Sequence, residues 1–148
     1  MPEHQPVTIV MIEDDEGHAR LIEKNIRRAG VNNEIVPFTA GAPALEYLLG
    51  KDGAGGTHRG EAMLILLDLN LPDMQGTEIL RRVKESPGMK LAPVVVLTTT
   101  DDEKEIQNCY ALGCNVYITK PVNYENFAQA IRALGLFLTV MQVPENGH

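Results

Sequence analysis

The chain has 148 residues and a formal net charge of −7, with 13 Lys and Arg against 20 Asp and Glu. This length fits roughly one domain, and 44% hydrophobic with 22% charged residues is typical of a soluble globular protein rather than a disordered one. The negative charge argues against binding to nucleic acid or to an anionic membrane, because both need a basic surface.

No secretory signal or membrane span is visible, since Met1–Pro6 is polar and the apolar runs are short. The two cysteines, Cys109 and Cys114, are too few for a disulfide scaffold and lack metal-site spacing. We therefore expect reduced thiols in a cytoplasmic protein.

Short apolar runs alternate with amphipathic helical patterns along the chain. The first run, at 7–12, is apolar throughout, which is typical of a strand buried on both faces of a parallel sheet. The other predicted strands lie at 34–38, 63–67, 93–97 and 115–119, and helices are predicted around 19–29, 44–49, 77–86, 102–112 and from 123 onward.

This alternation predicts one doubly wound α/β domain with a five-stranded parallel sheet. We expect the domain to span residues 7–143, between tails at 1–6 and 144–148. A glycine-rich loop at 51–62 and a C-terminal helix and arm at 123–143 are its distinctive segments.

Charged and hydroxyl residues follow the predicted strands, where ligands bind in open α/β sheets. Carboxylates that cluster at such an edge repel one another and require either raised pKa values or a cation. Mg²⁺ suits oxygen ligands that must leave room for a phosphate, and an aspartate beside it can act as a nucleophile. The residues concerned are Glu13-Asp14-Asp15, Asp68, Thr98-Thr99-Thr100 and Thr119-Lys120-Pro121.

These segments together resemble the receiver domain of two-component response regulators. The resemblance covers residues 6–143 and depends on the joint order of Glu13-Asp14, the segment 67–76 (LDLNLPDMQG), Thr98 and Lys120-Pro121. It implies a flavodoxin-like (βα)5 fold with strand order 2-1-3-4-5.

The same resemblance assigns roles to individual residues. Asp68 is similar to the phosphoryl acceptor of the family, with Lys120 and Thr98 contacting the phosphoryl group and a cis bond before Pro121. Mg²⁺ would be held by Asp14 directly, by Glu13 largely through water, by Asp68 and by the backbone carbonyl of Asn70. The implied switch residues are Thr98 and Tyr117.

A closer resemblance is to the response regulators of bacterial and cyanobacterial phytochromes. It rests on the glycine-rich loop, on 97–100 (LTTT), on 115–122 (NVYITKPV) and on 137–140 (FLTV). The implied partner is a sensor histidine kinase, specifically a phytochrome. Because a receiver fills nearly the whole length, we expect a stand-alone regulator and not a conventional enzyme. Its output would go through protein contacts, through transfer to a histidine phosphotransfer protein, or through sequestering phosphate.

The C-terminal stretch at 133–141 is apolar on more than one face, which predicts either packing on its own chain or an interface. We favour a two-fold homodimer formed by the fourth helix, fifth strand and fifth helix. The candidate interface residues are Leu136, Phe137, Val140 and Met141.

Simpler interpretations remain open at this stage. The three acids after the first strand could simply cap the first helix and have no other role. Lys120 could be a solvated surface lysine, and Tyr117 could serve only to pack against the sheet. The four histidines lack ligand spacing and are predicted to be surface residues. Two other functions are an aspartate-nucleophile phosphatase, which needs a second acid where Asn70 stands, and a receiver-like module that never takes phosphate.

Overall fold

Five strands alternate with five helices in the structure, a computed structural model that describes residues 7–51 and 61–134. The strands are β1 Thr8–Ile12, β2 Ile35–Phe38, β3 Met63–Asp68, β4 Val94–Thr98 and β5 Val116–Thr119. The helices are α1 Glu16–Arg28, α2 Gly41–Leu49, α3 Gly76–Glu85, α4 Glu103–Leu112 and α5 Tyr124–Leu134.

The strands form a single parallel sheet with the order β2-β1-β3-β4-β5, which confirms the predicted fold class and topology. The central strand β3 is buried along its whole length, whereas β2 and β5 form the edges and are partly exposed. Pro37 lies in β2, as expected for an edge strand, where a missing N–H group disrupts no inner ladder.

Each face of the sheet is covered by its own set of helices. Alternate residues of β3 divide between two hydrophobic clusters, with Ile65 and Leu67 under α2, α3 and α4, and Leu64 and Leu66 under α1 and α5. This two-sided burial explains why the strand is apolar at successive positions rather than at every second one.

The helices α1 and α2 begin three residues before the predicted starts, and the other helix ends lie within one residue of the predicted bounds. Asp102, predicted as the first residue of the fourth helix, is instead its N-cap and accepts a hydrogen bond from the Lys104 amide. Asn123 caps α5 as predicted, in a reciprocal pair with Asn126. The left-handed Gly113 ends α4.

Two predicted features lie partly or wholly outside the described residues. The loop 51–62 is described only at residues 51, 61 and 62, and the dimer candidates Leu136, Phe137, Val140 and Met141 fall beyond residue 134. In the part of the chain that the structure describes, no helix combines the length and apolar character needed to cross a membrane.

The start of α3 depends on a glycine. A Cβ atom at Gly76 would lie 2.5 Å from the backbone oxygen of Asp68 and 2.6 Å from the Leu69 Cα atom. At Gly41, by contrast, a Cβ atom would meet the ends of the Met74 and Ile79 side chains, which can move.

We therefore expect Gly76→Ala to lower the free energy of unfolding by about 2–3 kcal/mol, because backbone atoms must shift. Gly41→Ala should cost less than half as much, since the clash is relieved by side-chain rotation. Urea unfolding followed by circular dichroism measures both values, and equal losses would contradict this explanation.

Candidate functional site

The carboxyl ends of the strands bring three charged side chains into one cluster. Glu13 follows β1, Asp68 is the last residue of β3, and Lys120 follows β5. Their side chains are almost completely buried, with relative exposures of 1%, 5% and 6% respectively. The fold thus brings together residues that are more than 100 positions apart in the chain.

Asp14 joins Glu13 and Asp68 to form a set of three carboxylates that can hold a metal ion. Oxygen atoms of Glu13, Asp14 and Asp68 lie within 4.8 Å of one another, with Asp14 on the exposed side. Together with the Lys120 ammonium, these carboxylates leave a net charge of two negative units. A single divalent cation with oxygen ligands would neutralise that charge.

The adjacent Asp15 has a different role, as the N-cap of α1. Its Oδ1 atom accepts a hydrogen bond from the His18 amide at 2.9 Å, and this bond lowers the pKa of Asp15. Glu13 in turn accepts a hydrogen bond from the Asp15 amide at 3.0 Å. Helix capping therefore accounts for Asp15 but not for Asp14 or for the buried position of Glu13.

Lys120 is a buried cation rather than a surface lysine. Its Nζ atom lies 2.5 Å from Glu13 Oε1 and 3.5 Å from Asp68 Oδ2. The peptide bond to Pro121 is cis, as the family resemblance implied. The Lys120 amide also donates to the Thr98 carbonyl oxygen at 2.7 Å, which fixes the start of the loop after β5.

Burial shifts the titration of Asp68. Loss of solvent, with a smaller contribution from the nearby Glu13 charge, raises its pKa from an ordinary value of 3.8 to about 6. The Asn70 amide, which donates to Asp68 Oδ1 at 3.2 Å, and the Lys120 ammonium act in the opposite direction. The carboxylate at the end of β3 is therefore held in an environment that disfavours its charge.

An open cleft between Asp14 and the loop after Asp68 provides room for a ligand. The cleft has a volume of about 460 Å³ and is lined by Asp14 and by the loop after β3, including Asn70. Carboxylate oxygens and backbone carbonyl oxygens are the donors that hard divalent cations prefer, so the residues present fit such an ion. The donor set would hold the ion next to the Asp68 carboxylate.

Thr98 ends β4 on the other side of Asp68 and is completely buried. Its hydroxyl accepts a hydrogen bond from the Thr100 amide at 3.4 Å. A second cavity of about 210 Å³ lies between Thr98 and the loop after β3, and its walls include Thr77 and Thr100. Thr77 was not recognised from the sequence, where it reads only as part of a helix.

Tyr117 connects β5 to the loop that follows β4. Its hydroxyl donates to the Thr100 carbonyl oxygen at 3.0 Å, and its ring packs against the core on the α4 side. Burial raises the pKa of Tyr117 to about 12. Sheet packing alone does not account for this hydrogen bond, which links Tyr117 to the segment containing Thr98.

His18 takes part in the cluster, which the sequence did not indicate. Its side chain is 45% exposed, in keeping with the predicted surface position, but its Nδ1 atom lies 3.1 Å from Lys120 Nζ. The sequence signal that could have revealed this is its place four residues after Asp14, in the first turn of α1. The other histidines, at positions 4, 58 and 148, lie outside the described residues.

Asp73, in the loop after Asp68, also has a role that the sequence did not reveal. Its two carboxylate oxygens accept hydrogen bonds from the Gly41 and Ala42 amides, both at 2.8 Å, and these bonds lower its pKa. The N-cap residue of α2, Ala40, has no capping side chain, so Asp73 supplies the cap from a distant loop. This contact attaches the loop beside Asp68 to α2.

Comparison with known proteins gives a match over most of the chain. Residues 9–132 match the family model described as the response regulator receiver domain. Among curated proteins, the chain is 32% identical to response regulator Rcp1 of Synechocystis over 132 residues, covering 89% of this chain and 88% of Rcp1. A crystal structure of Rcp1 in an Mn(2+)-bound form aligns with a TM-score of 0.67 over 92% of this chain and 90% of that chain, at 32% identity.

Other solved structures are similar over nearly the full length. A response regulator receiver domain from Rhodospirillum rubrum is 70% identical, with a TM-score of 0.79 over 96% of this chain and 100% of that chain. The bacteriophytochrome response regulator RtBRR is 35% identical, with a TM-score of 0.77 over 97% and 86%. The phosphorylated cyanobacterial phytochrome response regulator RcpA is 34% identical, with a TM-score of 0.71 over 95% and 99%.

The raised pKa of Asp68 predicts a stability difference for Asp68→Asn. The folded chain binds the Asp68 proton more tightly than the unfolded chain, so stability is lost as pH rises from 3.8 to about 6. At neutral pH, in the presence of EDTA, we expect Asp68→Asn to raise the free energy of unfolding by about 1 kcal/mol, a value reduced for solvent screening.

Urea unfolding of the wild type, Asp68→Asn and the exposed-site control Asp101→Asn measures this difference. The gain should vanish below pH 3.8. Saturating Mg²⁺ should reverse the order, because a ligand stabilises the folded form that binds it and the variant lacks a carboxylate. If Asp68→Asn were less stable than the wild type in EDTA at neutral pH, the raised pKa of Asp68 would be contradicted.

Proposed function

The chain belongs to the response regulator receiver family, and from this premise we propose that it accepts a phosphoryl group on Asp68 from a sensor histidine kinase. In this reaction an Asp68 carboxylate oxygen attacks the phosphorus of the kinase phosphohistidine. A phosphorus–oxygen bond forms, the phosphorus–nitrogen bond breaks, and the imidazole leaves with the electron pair of that bond. The product is an acyl phosphate.

The observation that carries the proposal is the environment of Asp68. Its carboxylate is buried at the end of the central strand, beside the Lys120 ammonium, and lies within 4.8 Å of Asp14, which lines an open cleft. A buried carboxylate with a raised pKa and a specific cationic partner is typical of a reactive position. The RcpA structure is that of a phosphorylated protein of similar length, which supports phosphorylation of this chain.

We further propose that Mg²⁺ is the cation and that Glu13, Asp14, Asp68 and the Asn70 carbonyl hold it. The bound Mn(2+) in the Rcp1 structure supports a divalent ion in this family. When bound, Mg²⁺ would neutralise charge on the phosphoryl oxygens. Lys120 would place its ammonium against another of these oxygens.

Thr98 and Tyr117 are the proposed switch residues. The Thr98 hydroxyl borders the cavity between β4 and the loop after Asp68, so rotation toward a phosphoryl oxygen would break its contact with the Thr100 amide. Tyr117 is tied to the same segment through the Thr100 carbonyl. Phosphorylation would in this way change the surface formed by α4, β5 and α5.

The proposed input is a phytochrome-type kinase, supported by the likeness to RtBRR and RcpA, which are both named as phytochrome response regulators. The proposed output is contact with a protein partner or transfer to a histidine phosphotransfer protein, since the net charge of −7 does not suit nucleic acid. Receiver domains are signalling proteins, and we propose that this one promotes only its own phosphorylation and dephosphorylation. The homodimer remains a prediction.

Two residues separate this proposal from its alternatives. An aspartate-nucleophile phosphatase needs a general acid two residues after the nucleophile, where this chain has Asn70. A module that never takes phosphate has no need for the buried Lys120 beside Asp68. The complete cluster therefore favours a phosphoryl acceptor.

We expect acetyl phosphate with Mg²⁺ to add the mass of one phosphoryl group to the intact wild-type protein. Asp68→Asn should abolish the adduct, whereas Asp101→Asn should keep it, because Asp101 is exposed and outside the cluster. Intact-mass spectrometry after a short incubation measures the result. Absence of an adduct on the wild type, or an adduct on Asp68→Asn, would refute the proposed acceptor.

The proposed input can be tested with a panel of purified, autophosphorylated histidine kinases. Phytochrome-type kinases should transfer the phosphoryl group to the wild type at least about tenfold faster than other kinases, because specific docking raises transfer efficiency. Equal rates across the panel would contradict the phytochrome assignment and leave the acceptor role intact.

Thr98→Val tests the switch. The variant should still take phosphate on Asp68. However, the changes in NMR chemical shift caused by phosphorylation, at the amides of residues 98–102 and at the Tyr117 ring, should be about half of those in the wild type. The reason is that one hydrogen bond to the phosphoryl group is lost. Thr99→Val is the matched control, because Thr99 is exposed. Two-dimensional NMR measures these changes, and changes of equal size in both variants would exclude the switch role.

A further inference from the structure

The Lys120 ammonium has three N–H donors and three acceptors around it. Glu13 Oε1 lies at 2.5 Å, His18 Nδ1 at 3.1 Å and Asp68 Oδ2 at 3.5 Å. Two of these acceptors belong to the acidic cluster described above, and the third is an imidazole with no role in it so far. The Lys120 side chain is only 6% exposed, so little solvent is available to replace a lost acceptor.

The chemistry of the contact determines the state of the His18 ring. An ammonium can only donate hydrogen bonds, so a nitrogen at 3.1 Å from it must offer a lone pair. A His18 ring that accepts this hydrogen bond at Nδ1 carries its ring proton on Nε2. Nδ1 also lies 3.8 Å from Glu13 Oε2, outside hydrogen-bonding distance.

The contact is held from the His18 side by α1. The His18 amide donates to the N-cap Asp15, which fixes the first turn of the helix independently of the imidazole. The ring lies beside the segment after β5 and lines a small cleft with Leu21, Pro121 and Val122. His18 thus connects the first turn of α1 to the loop that carries Lys120.

We propose that His18 is a positioning residue that keeps the Lys120 ammonium directed toward the incoming phosphoryl group. This inference rests on the proposed function. Phosphorylation of Asp68 and cation binding by Glu13 both change the charge of the acceptors that now hold Lys120. His18 is neither the proposed phosphoryl acceptor nor one of the proposed cation ligands, so its contact holds the ammonium while the other two donors are redirected.

Two substitutions at His18 separate the acceptor from the bulk of the side chain. In asparagine, Oδ1 is bonded to Cγ just as Nδ1 is in histidine, so His18→Asn keeps an acceptor at the same place. His18→Leu puts a methyl group there and removes the acceptor. Neither change touches the capping bond, which uses the His18 backbone amide.

The experiment measures the rate of phosphorylation by acetyl phosphate at saturating Mg²⁺, together with the NMR signal of the Lys120 ammonium nitrogen. We expect His18→Leu to slow phosphorylation about fivefold, the effect of one hydrogen bond, and to shift and broaden the Lys120 signal. His18→Asn should remain within about twofold of the wild type in rate and keep a sharp signal. Leu21→Ala is the control, since Leu21 lines the same cleft without an acceptor.

The outcomes distinguish this inference from the proposed function. Wild-type rates and an unchanged Lys120 signal in His18→Leu would overturn it, as would equal slowing in His18→Leu and His18→Asn. A wild type that takes no phosphoryl group would refute the proposed function, and the Lys120 signal alone would then decide whether His18 orients the ammonium.

Discussion

The ion pair between Lys120 and the buried carboxylates of Glu13 and Asp68 is the interaction on which the site depends. An isolated carboxylate costs roughly several kcal/mol to bury, and a close ammonium offsets much of that cost. Here one ammonium serves two buried carboxylates, with the exposed Asp14 adding a third negative charge. The cluster is therefore underneutralised, which adds to the effect of burial on the pKa of Asp68 and makes the site suitable for a divalent cation.

The loops around Asp68 are held in place by contacts outside the charge cluster. Gly76 allows α3 to begin against the Asp68 backbone, and Asp73 attaches the same loop to α2 through two amides. Tyr117 ties β5 to the loop after β4. Each of these loops is thus anchored to a different helix or strand.

Much of the fold could be predicted because each strand and helix carries its own local signal. The five apolar runs became five strands, and Asn123 and Gly113 mark helix ends as predicted. The order of the strands in the sheet came from the family resemblance, which the structure confirms. The acids and Lys120 could also be placed, because the carboxyl ends of parallel strands share one edge. The roles of Asp15 and Asp102 as caps required the structure, since an acid near a helix start has several uses.

The sequence by itself determined the alternation of strands and helices, the burial of the central strand and the set of polar residues at its end, because these follow from hydrophobic periodicity and local capping. Only the tertiary structure decided that Glu13 and Lys120 are paired, that His18 contacts the same ammonium, and that Asp73 caps a helix more than 30 positions away. These contacts depend on how α1, α2 and the loops pack together. A few ångströms of displacement, which no local pattern encodes, would remove each of them.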